Sequence, residues 1–93
     1  MSQTVFITGA SSGIGQALAR HYASLGYTLG LVARRGARLD ALTNELPTAT
    51  HVYSIDVRDR AALHAAADHF IEQVGHVDLV IANAGVSAGT LTE

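Results

Sequence analysis

Short apolar runs alternate with amphipathic helical patterns along the 93 residues of this chain, and this alternation limits the possible folds more than any other feature. Runs rich in Val, Ile, Leu and Phe predict four buried strands, at residues 4–8, 28–33, 51–55 and 77–82. Apolar residues at helical spacing predict helices at residues 14–25 and 35–46, and a third between the capping residue Asp59 and Gly75. This order predicts an α/β fold, a doubly wound parallel sheet with right-handed crossovers.

Each predicted helix carries an apolar stripe that should face the sheet. The expected contact residues are Leu18, Tyr22 and Leu25 on the first helix, Leu39, Leu42 and Leu46 on the second, and Leu63, Ala67, Phe70, Ile71 and Val74 on the third. Right-handed crossovers place the first two helices on one face of the sheet and the third on the other. The fourth strand should therefore be an apolar edge with half of one face bare.

The first strand ends in the glycine-rich turn Gly9-Ala-Ser-Ser-Gly13-Ile-Gly15, and a helix follows directly. A helix N-terminus after such a turn presents free backbone N–H groups to a phosphate. Gly9 permits a sharp turn, Gly13 permits close approach of a pyrophosphate, and Gly15 permits close helix packing. Ser11 and Ser12 would add hydroxyl donors. The turn predicts a dinucleotide site, although an ordinary glycine-rich connection between strand and helix is the alternative.

Arg34 and Arg35 follow the second strand, where no acidic residue stands. A carboxylate at this point of such a sheet accepts from a free ribose 2′-hydroxyl, whereas an arginine accommodates a 2′-phosphate. We therefore expect Arg34 to bind the 2′-phosphate, with Ser11 as an additional candidate contact and Arg35 secondary, and this favours NADP(H) over NAD(H) as coenzyme. The alternative is that both arginines only solvate the start of the next helix.

The segment Thr8-Gly-Ala-Ser-Ser-Gly-Ile-Gly15 resembles the coenzyme fingerprint of the classical short-chain dehydrogenases/reductases, and the whole chain resembles their N-terminal half. The resemblance implies a Rossmann-like sheet of strand order 3-2-1-4, truncated after about four strands and three helices. Residues 1–93 would then be the N-terminal part of a single NAD(P)-binding domain.

Two further segments match the family at predicted strand ends. Asp56 and Val57 resemble its Asp-Val pair, which implies an adenine contact, and Asn83-Ala84-Gly85 resembles its Asn-Ala-Gly element beside the coenzyme. With Ile14 at the start of the first helix, these residues complete the predicted coenzyme site. Read without the family, Asp, Asn and Gly are also ordinary turn formers.

The chain has six Lys and Arg residues, and all six are arginine. The family's catalytic pair is a tyrosine with a lysine four residues later, and its catalytic asparagine is a later residue than Asn83. Tyr22, Tyr27 and Tyr53 occupy expected packing or strand positions, so no catalytic residue is assigned to this chain. We expect an inactive coenzyme-binding portion of a longer oxidoreductase acting on a carbonyl or secondary alcohol; the alternative is a non-catalytic nucleotide-binding or regulatory module that uses the half-fold alone.

The composition of the chain also limits the classes of binding partner that we expect. The formal net charge of −2 gives no reason to expect nucleic acid or an anionic membrane, and no apolar run is long enough to span a bilayer. The absence of cysteine makes a reducing cytoplasm the expected location. The five histidines are not spaced as a metal set, so no metal is expected. The remaining expected partners are the dinucleotide, a small carbonyl or alcohol substrate, and further copies of the intact protein in a homo-oligomer.

Overall fold

A computed structural model describes residues 3–83 of the chain. These residues form a parallel four-stranded sheet with three α-helices and one short 3₁₀ helix. In chain order the elements are β1 (Thr4–Thr8), α1 (Gly13–Ser24), β2 (Thr28–Ala33), the 3₁₀ helix (Gly36–Leu39), α2 (Asp40–Glu45), β3 (Thr50–Ser54), α3 (Arg60–Val74) and β4 (Leu79–Ala82).

The strands lie in the order β3-β2-β1-β4, which confirms the predicted 3-2-1-4 arrangement. Thr8, the last residue of β1, pairs with Val32 of β2 and with Ala82 of β4. Because all pairs are parallel, the carboxyl ends of the strands meet at one edge of the sheet. The residues that follow β1, β2, β3 and β4 are therefore neighbours in space.

The two faces of the sheet carry separate apolar clusters, as the crossover rule predicts. On one face Val5, Ile7 and Leu29 pack with Ala19 of α1 and with the segment that contains Leu39. On the other face Phe6 and Val32 pack with Ala66 and Phe70 of α3. The first two helical segments and the third thus cover opposite faces.

The segment predicted as one helix at residues 35–46 is instead a 3₁₀ turn followed by a six-residue α-helix. Neither part begins with a side-chain cap, and short 3₁₀ turns are frequent at the N-termini of α-helices. The predicted apolar stripe is nevertheless present, since Leu39 and Leu42 are buried and Leu46 packs against them. Leu46 adopts the extended backbone that a following proline favours, and the helix stops there.

Two residues predicted on buried helix faces lie outside the core. Leu25 is 58% exposed, because α1 ends at Ser24 and its buried face is the row of small residues Gly15, Ala19 and Ala23. Ile71 is 42% exposed, because the buried row of α3 is centred on Ala66 and Phe70. Small side chains at i, i+4 spacing let α1 approach the sheet closely, and this displaces the larger residues toward its flanks.

Strand β4 has one packed face and one open face within the described part of the chain. Leu79 and Ile81 pack against the α1 side of the core, whereas Val80 is 62% exposed. A groove of about 540 Å³ runs between Val80 and the α3 residues Leu63 and Ala67. This matches the expectation of a partly bare fourth strand. No helix among residues 3–83 is both long and apolar enough to cross a membrane.

Candidate functional site

The turn between β1 and α1 is organised around two residues. Gly9 has φ 67°, a left-handed conformation that a residue with a Cβ adopts only at a cost, so the sharp turn predicted there is present. Ser12 is the N-cap of α1: its Oγ accepts from the Gly15 N–H (3.0 Å) and donates to the Gly9 carbonyl (2.9 Å). One hydroxyl thereby caps the helix and closes the turn.

The other two glycines of this turn, Gly13 and Gly15, have different surroundings. A Cβ on Gly15 would lie 2.1 Å from the Gly9 carbonyl oxygen and 2.8 Å from the Ala10 Cα, so only glycine fits where the helix meets the turn. A Cβ on Gly13 would meet nothing within 4 Å. Gly15 is thus required by the fold, and Gly13 leaves open space above the first turn of α1.

Asn83, which directly follows β4, holds this turn in place through hydrogen bonds from the neighbouring strand end. Its side-chain amide donates to Ser12 Oγ (2.9 Å) and to the Gly9 carbonyl (3.3 Å). Its backbone N–H donates to Thr8 Oγ1 (3.1 Å). Ser12 Oγ therefore donates one hydrogen bond and accepts two, which uses the full capacity of the hydroxyl inside the turn.

The first two amides of α1 take no part in these contacts. The amides of Gly13 and Ile14 precede the first complete helical turn and have no intrahelical acceptor. Ile14 is 60% exposed, which is unusual for so apolar a residue. Free amides, the positive end of a 12-residue helix and a glycine with open space above it together form a site that can bind a phosphate or pyrophosphate.

The end of β2 lies directly beside this turn. The Ala10 N–H donates to the Val32 carbonyl (3.0 Å), so the segment after Gly9 continues alongside β2. Arg34 follows two residues later with 68% of its side chain exposed, and Arg35 is exposed as well. The structure therefore brings a cationic surface next to the N-terminus of α1.

Asp56, after β3, lies between two arginines. Arg58 binds its carboxylate through Nε (3.1 Å to each oxygen) and Nη2 (2.7 Å to Oδ2), while Arg34 Nη2 lies 3.4 Å from Oδ2. The hydrogen bonds from Arg58, with a smaller contribution from the Arg34 charge, hold the pKa of Asp56 far below its ordinary value of 3.8. Val57 is half-buried against the α3 side of the core.

The predicted site residues after β1, β2, β3 and β4 thus gather at one edge of the sheet, as parallel pairing requires. Ala84 and Gly85 lie outside the described residues. Sequence reasoning missed Arg58 as the partner of Asp56; the signal was the Asp-Val-Arg spacing, which puts two opposite charges in one tight turn. It also missed Gln16, whose side chain donates to the Ser11 carbonyl (3.0 Å) and holds the turn from the helix side.

The tyrosines take packing positions. Tyr22 and Tyr27 meet edge to face with ring centroids 4.9 Å apart, at the end of α1 away from the glycine turn. Tyr53 lies 6.1 Å from the Phe6 ring, and its hydroxyl is hydrogen-bonded to His69 Nδ1 (2.8 Å). None of the three is adjacent to the glycine turn in the described part of the chain.

A family model described as short chain dehydrogenase matches residues 3–93. The chain belongs to the short-chain dehydrogenase family. It is 39% identical over 90 residues to serine 3-dehydrogenase of Agrobacterium fabrum (strain C58), an alignment that covers 97% of this chain and 36% of that protein. The assignment agrees with the strand order and with the glycine turn between β1 and α1.

Solved short-chain dehydrogenase structures share this fold. One from Streptomyces avermitilis superposes with a TM-score of 0.84 at 34% identity, over 91% of this chain and 31% of that one. A metagenomic short-chain oxidoreductase in complex with NADP superposes with a TM-score of 0.80 at 32% identity, over 86% of this chain and 38% of that one. This short-chain dehydrogenase chain thus spans roughly a third of the length of the relatives that it matches.

Proposed function

We propose that this chain is the coenzyme-binding portion of a longer NADP(H)-dependent oxidoreductase, the parent protein. The parent protein would transfer hydride between the nicotinamide of the coenzyme and a carbonyl or secondary alcohol. Membership of the short-chain dehydrogenase family supports the reaction class. The residues described above would bind the adenosine and pyrophosphate half of the coenzyme.

The observation that carries this proposal is the joining of the glycine turn to the end of β2. The hydrogen bond from Ala10 N–H to the Val32 carbonyl (3.0 Å) brings the N-terminus of α1 and Arg34 to the same edge of the sheet. A pyrophosphate over Gly13 and Ile14 would place the adenosine ribose toward the end of β2. Asp56 and Val57 would then line the adenine, and Asn83-Ala84-Gly85 would lie along the other side of the coenzyme.

Preference for NADP(H) rests on the charge at the end of β2. Arg34 and Arg35 follow β2 with no acidic residue beside them in the sequence, and the nearby Asp56 carboxylate is bound mainly by Arg58. A guanidinium can bind a 2′-phosphate with paired N–H donors. Structures of this fold have been solved with NADP and with NADH, so the proposed preference rests on the arginines. Ser11, whose carbonyl accepts from the Gln16 side chain, would be an additional contact for this phosphate, and Arg35 is the secondary candidate.

The chain's own residues would bind and orient the coenzyme, and the bound nicotinamide would supply the hydride chemistry. None of the 93 residues is a lysine, so the tyrosine–lysine pair that the family uses for acid–base chemistry is not assigned here. We expect the 93-residue chain by itself to transfer no hydride. The rival function, a nucleotide-binding or regulatory module, would bind coenzyme without turnover even in the parent protein.

The 2′-phosphate assignment is tested by Arg34→Ala in the parent protein, with NADPH and NADH affinities measured by titration calorimetry. We expect NADPH affinity to fall about ten- to a hundredfold, since charge-assisted pairs contribute roughly 1.5–3 kcal/mol, and NADH affinity to change little. The matched control is Arg20→Ala on α1, which removes an equal charge that is paired with Glu45 instead. Equal losses of affinity for NADPH and NADH in Arg34→Ala would contradict the assignment of Arg34 to the 2′-phosphate.

Turnover of the parent protein separates the two functions. Oxidation of NADPH at 340 nm with a panel of aldehydes and ketones supports the oxidoreductase, whereas tight NADPH binding without turnover on any carbonyl supports the module. The proposal also includes a small-molecule carbonyl or alcohol substrate, a cytoplasmic location and a homo-oligomeric parent protein. Sedimentation of the parent protein tests whether it forms a homo-oligomer.

A further inference from the structure

Two guanidinium groups compete for the carboxylate of Asp56. Arg58 makes three contacts to it through Nε and Nη2, at 2.7–3.1 Å, and its backbone N–H donates to Oδ1 at 2.9 Å. Arg34 approaches the same carboxylate with one nitrogen, at 3.4 Å from Oδ2. Arg58 is therefore the principal partner, and Arg34 is held only loosely.

We propose that Arg58 is a positioning residue for coenzyme specificity, which occupies the Asp56 carboxylate and so leaves the Arg34 guanidinium available to a 2′-phosphate. This inference rests on the proposed function of Arg34. Arg58 acts through Asp56 and Arg34, and it does not contact the phosphate itself.

The electrostatic reason is the position of the negative charge. An ionised Asp56 beside the 2′-phosphate subsite attracts Arg34 away from the ligand and repels the incoming phosphate. The bidentate Arg58 contact neutralises this charge and uses lone pairs of both carboxylate oxygens. Without Arg58, the Arg34–Asp56 pair would tighten, and binding of a 2′-phosphate would first have to break it.

The geometry also explains why Arg58 is suited to this position. Asp56 and Arg58 are two residues apart in the turn between β3 and α3, so their pairing requires no long-range ordering. Arg34 belongs to another strand end, and Ser54 Oγ donates to its carbonyl (3.2 Å), which ties that backbone to β3. Arg34 thus has a fixed backbone and a side chain that can exchange one anion for another.

The test uses the parent protein and two probes that differ only in the 2′-phosphate: 2′,5′-ADP and 5′-AMP. Their dissociation constants are measured by calorimetry at low salt for the unmodified protein, Arg34→Ala, Arg58→Ala and Arg60→Ala. Arg60, at the start of α3, is the matched control, since its charge lies two residues further on and makes no ion pair with Asp56 among residues 3–83. The readout is the ratio of the two affinities, in which any change in adenine binding cancels.

We expect Arg58→Ala to lower the preference for 2′,5′-ADP about two- to fivefold, the range of exposed ion-pair effects, and Arg60→Ala to leave it unchanged. In an Asp56→Asn background the competing charge is absent, so Arg58→Ala should no longer alter the ratio. An effect that persists in that background would mean that Arg58 binds the phosphate directly, and an equal effect of Arg60→Ala would mean a nonspecific charge effect; either result overturns the positioning role. An unchanged ratio in Arg34→Ala would instead overturn the proposed function of Arg34, and this inference with it.

Discussion

Asn83 donates its side-chain amide to Ser12 Oγ at 2.9 Å, across 71 positions of sequence. This hydrogen bond joins the end of β4 to the N-cap of α1. Because the same hydroxyl caps the helix and binds the Gly9 carbonyl, the N-terminus of α1 is held from both sides. These contacts fix the conformation of the glycine turn, which would lower the entropic cost of binding at the proposed coenzyme site.

The first prediction concerns this pair. Ser12→Ala should cost about 1 kcal/mol of unfolding free energy through loss of the N-cap. Asn83→Ala should cost a similar amount, and the double variant should cost less than the sum by about 0.5–1 kcal/mol. Urea unfolding of the four proteins measures the coupling. Ser11→Ala is the matched control, because Asn83 makes no hydrogen bond to Ser11 among the described residues; additive effects of Ser12 and Asn83 would show that the bond contributes nothing.

The second prediction separates folding from binding within the glycine turn. Gly15→Ala places a Cβ 2.1 Å from the Gly9 carbonyl oxygen and should destabilise the parent protein by about 1–3 kcal/mol. Gly13→Ala meets no atom within 4 Å, so its unfolding free energy should stay within about 0.5 kcal/mol. Because the added methyl group stands where a pyrophosphate would approach, Gly13→Ala should nevertheless weaken NADPH binding. Thermal unfolding and NADPH titration check the two variants, and full NADPH affinity in Gly13→Ala would contradict the site.

The third prediction concerns acid stability at the opposite end of the sheet. The Thr4 N–H donates to Asp78 Oδ2 (2.8 Å), and this hydrogen bond, with His76 beside it, lowers the pKa of Asp78 from 3.8. A carboxyl whose pKa is lower in the folded state stabilises the protein above pH 3.8, and that stabilisation is lost as the pH falls through the lower folded-state value. Asp78→Asn should therefore be less stable near neutral pH and lose less stability on acidification.

Urea midpoints between about pH 2 and pH 6 measure this difference, since the window spans the ordinary carboxyl range. Asp68→Asn, which alters an exposed carboxyl on α3, is the control and should retain the acid dependence of the unmodified protein. Parallel pH curves for Asp78→Asn and the unmodified protein would exclude a contribution from Asp78.

The fourth prediction tests which residues of α3 form its buried face. Phe70 is fully buried and packs on Phe6 with ring centroids 5.5 Å apart, so Phe70→Ala should cost about 3–5 kcal/mol. Ile71 is 42% exposed, and Ile71→Ala should cost less than about 1 kcal/mol. Chemical denaturation of both variants gives the comparison. A larger loss of unfolding free energy for Ile71→Ala than for Phe70→Ala would contradict this orientation of α3.

Local sequence patterns were sufficient for most of the secondary structure. The bounds of β1 and β2 were predicted correctly, Asp59 caps α3 as expected, and Gly75 ends it with φ 91°. These features depend on neighbours within a few residues, where apolar periodicity, capping and glycine conformation decide the outcome. The change from 3₁₀ helix to α-helix at Asp40 and the shortening of β4 to Leu79–Ala82 depend on weaker signals at element ends.

By itself the sequence determined the strand and helix pattern and the glycine turn, because short-range periodicity and turn chemistry leave few alternatives, while the strand order followed from the resemblance to the family. Only the tertiary structure decided which side chains meet at the ends of the strands. The contacts of Asn83 with Ser12 and of Arg34 with Asp56 join residues far apart in the chain, and parallel register brings them together. The same packing decided that α1 faces the core with Ala19 and Ala23 while Leu25 stays exposed, since close approach of a helix to a sheet favours small side chains at the contact.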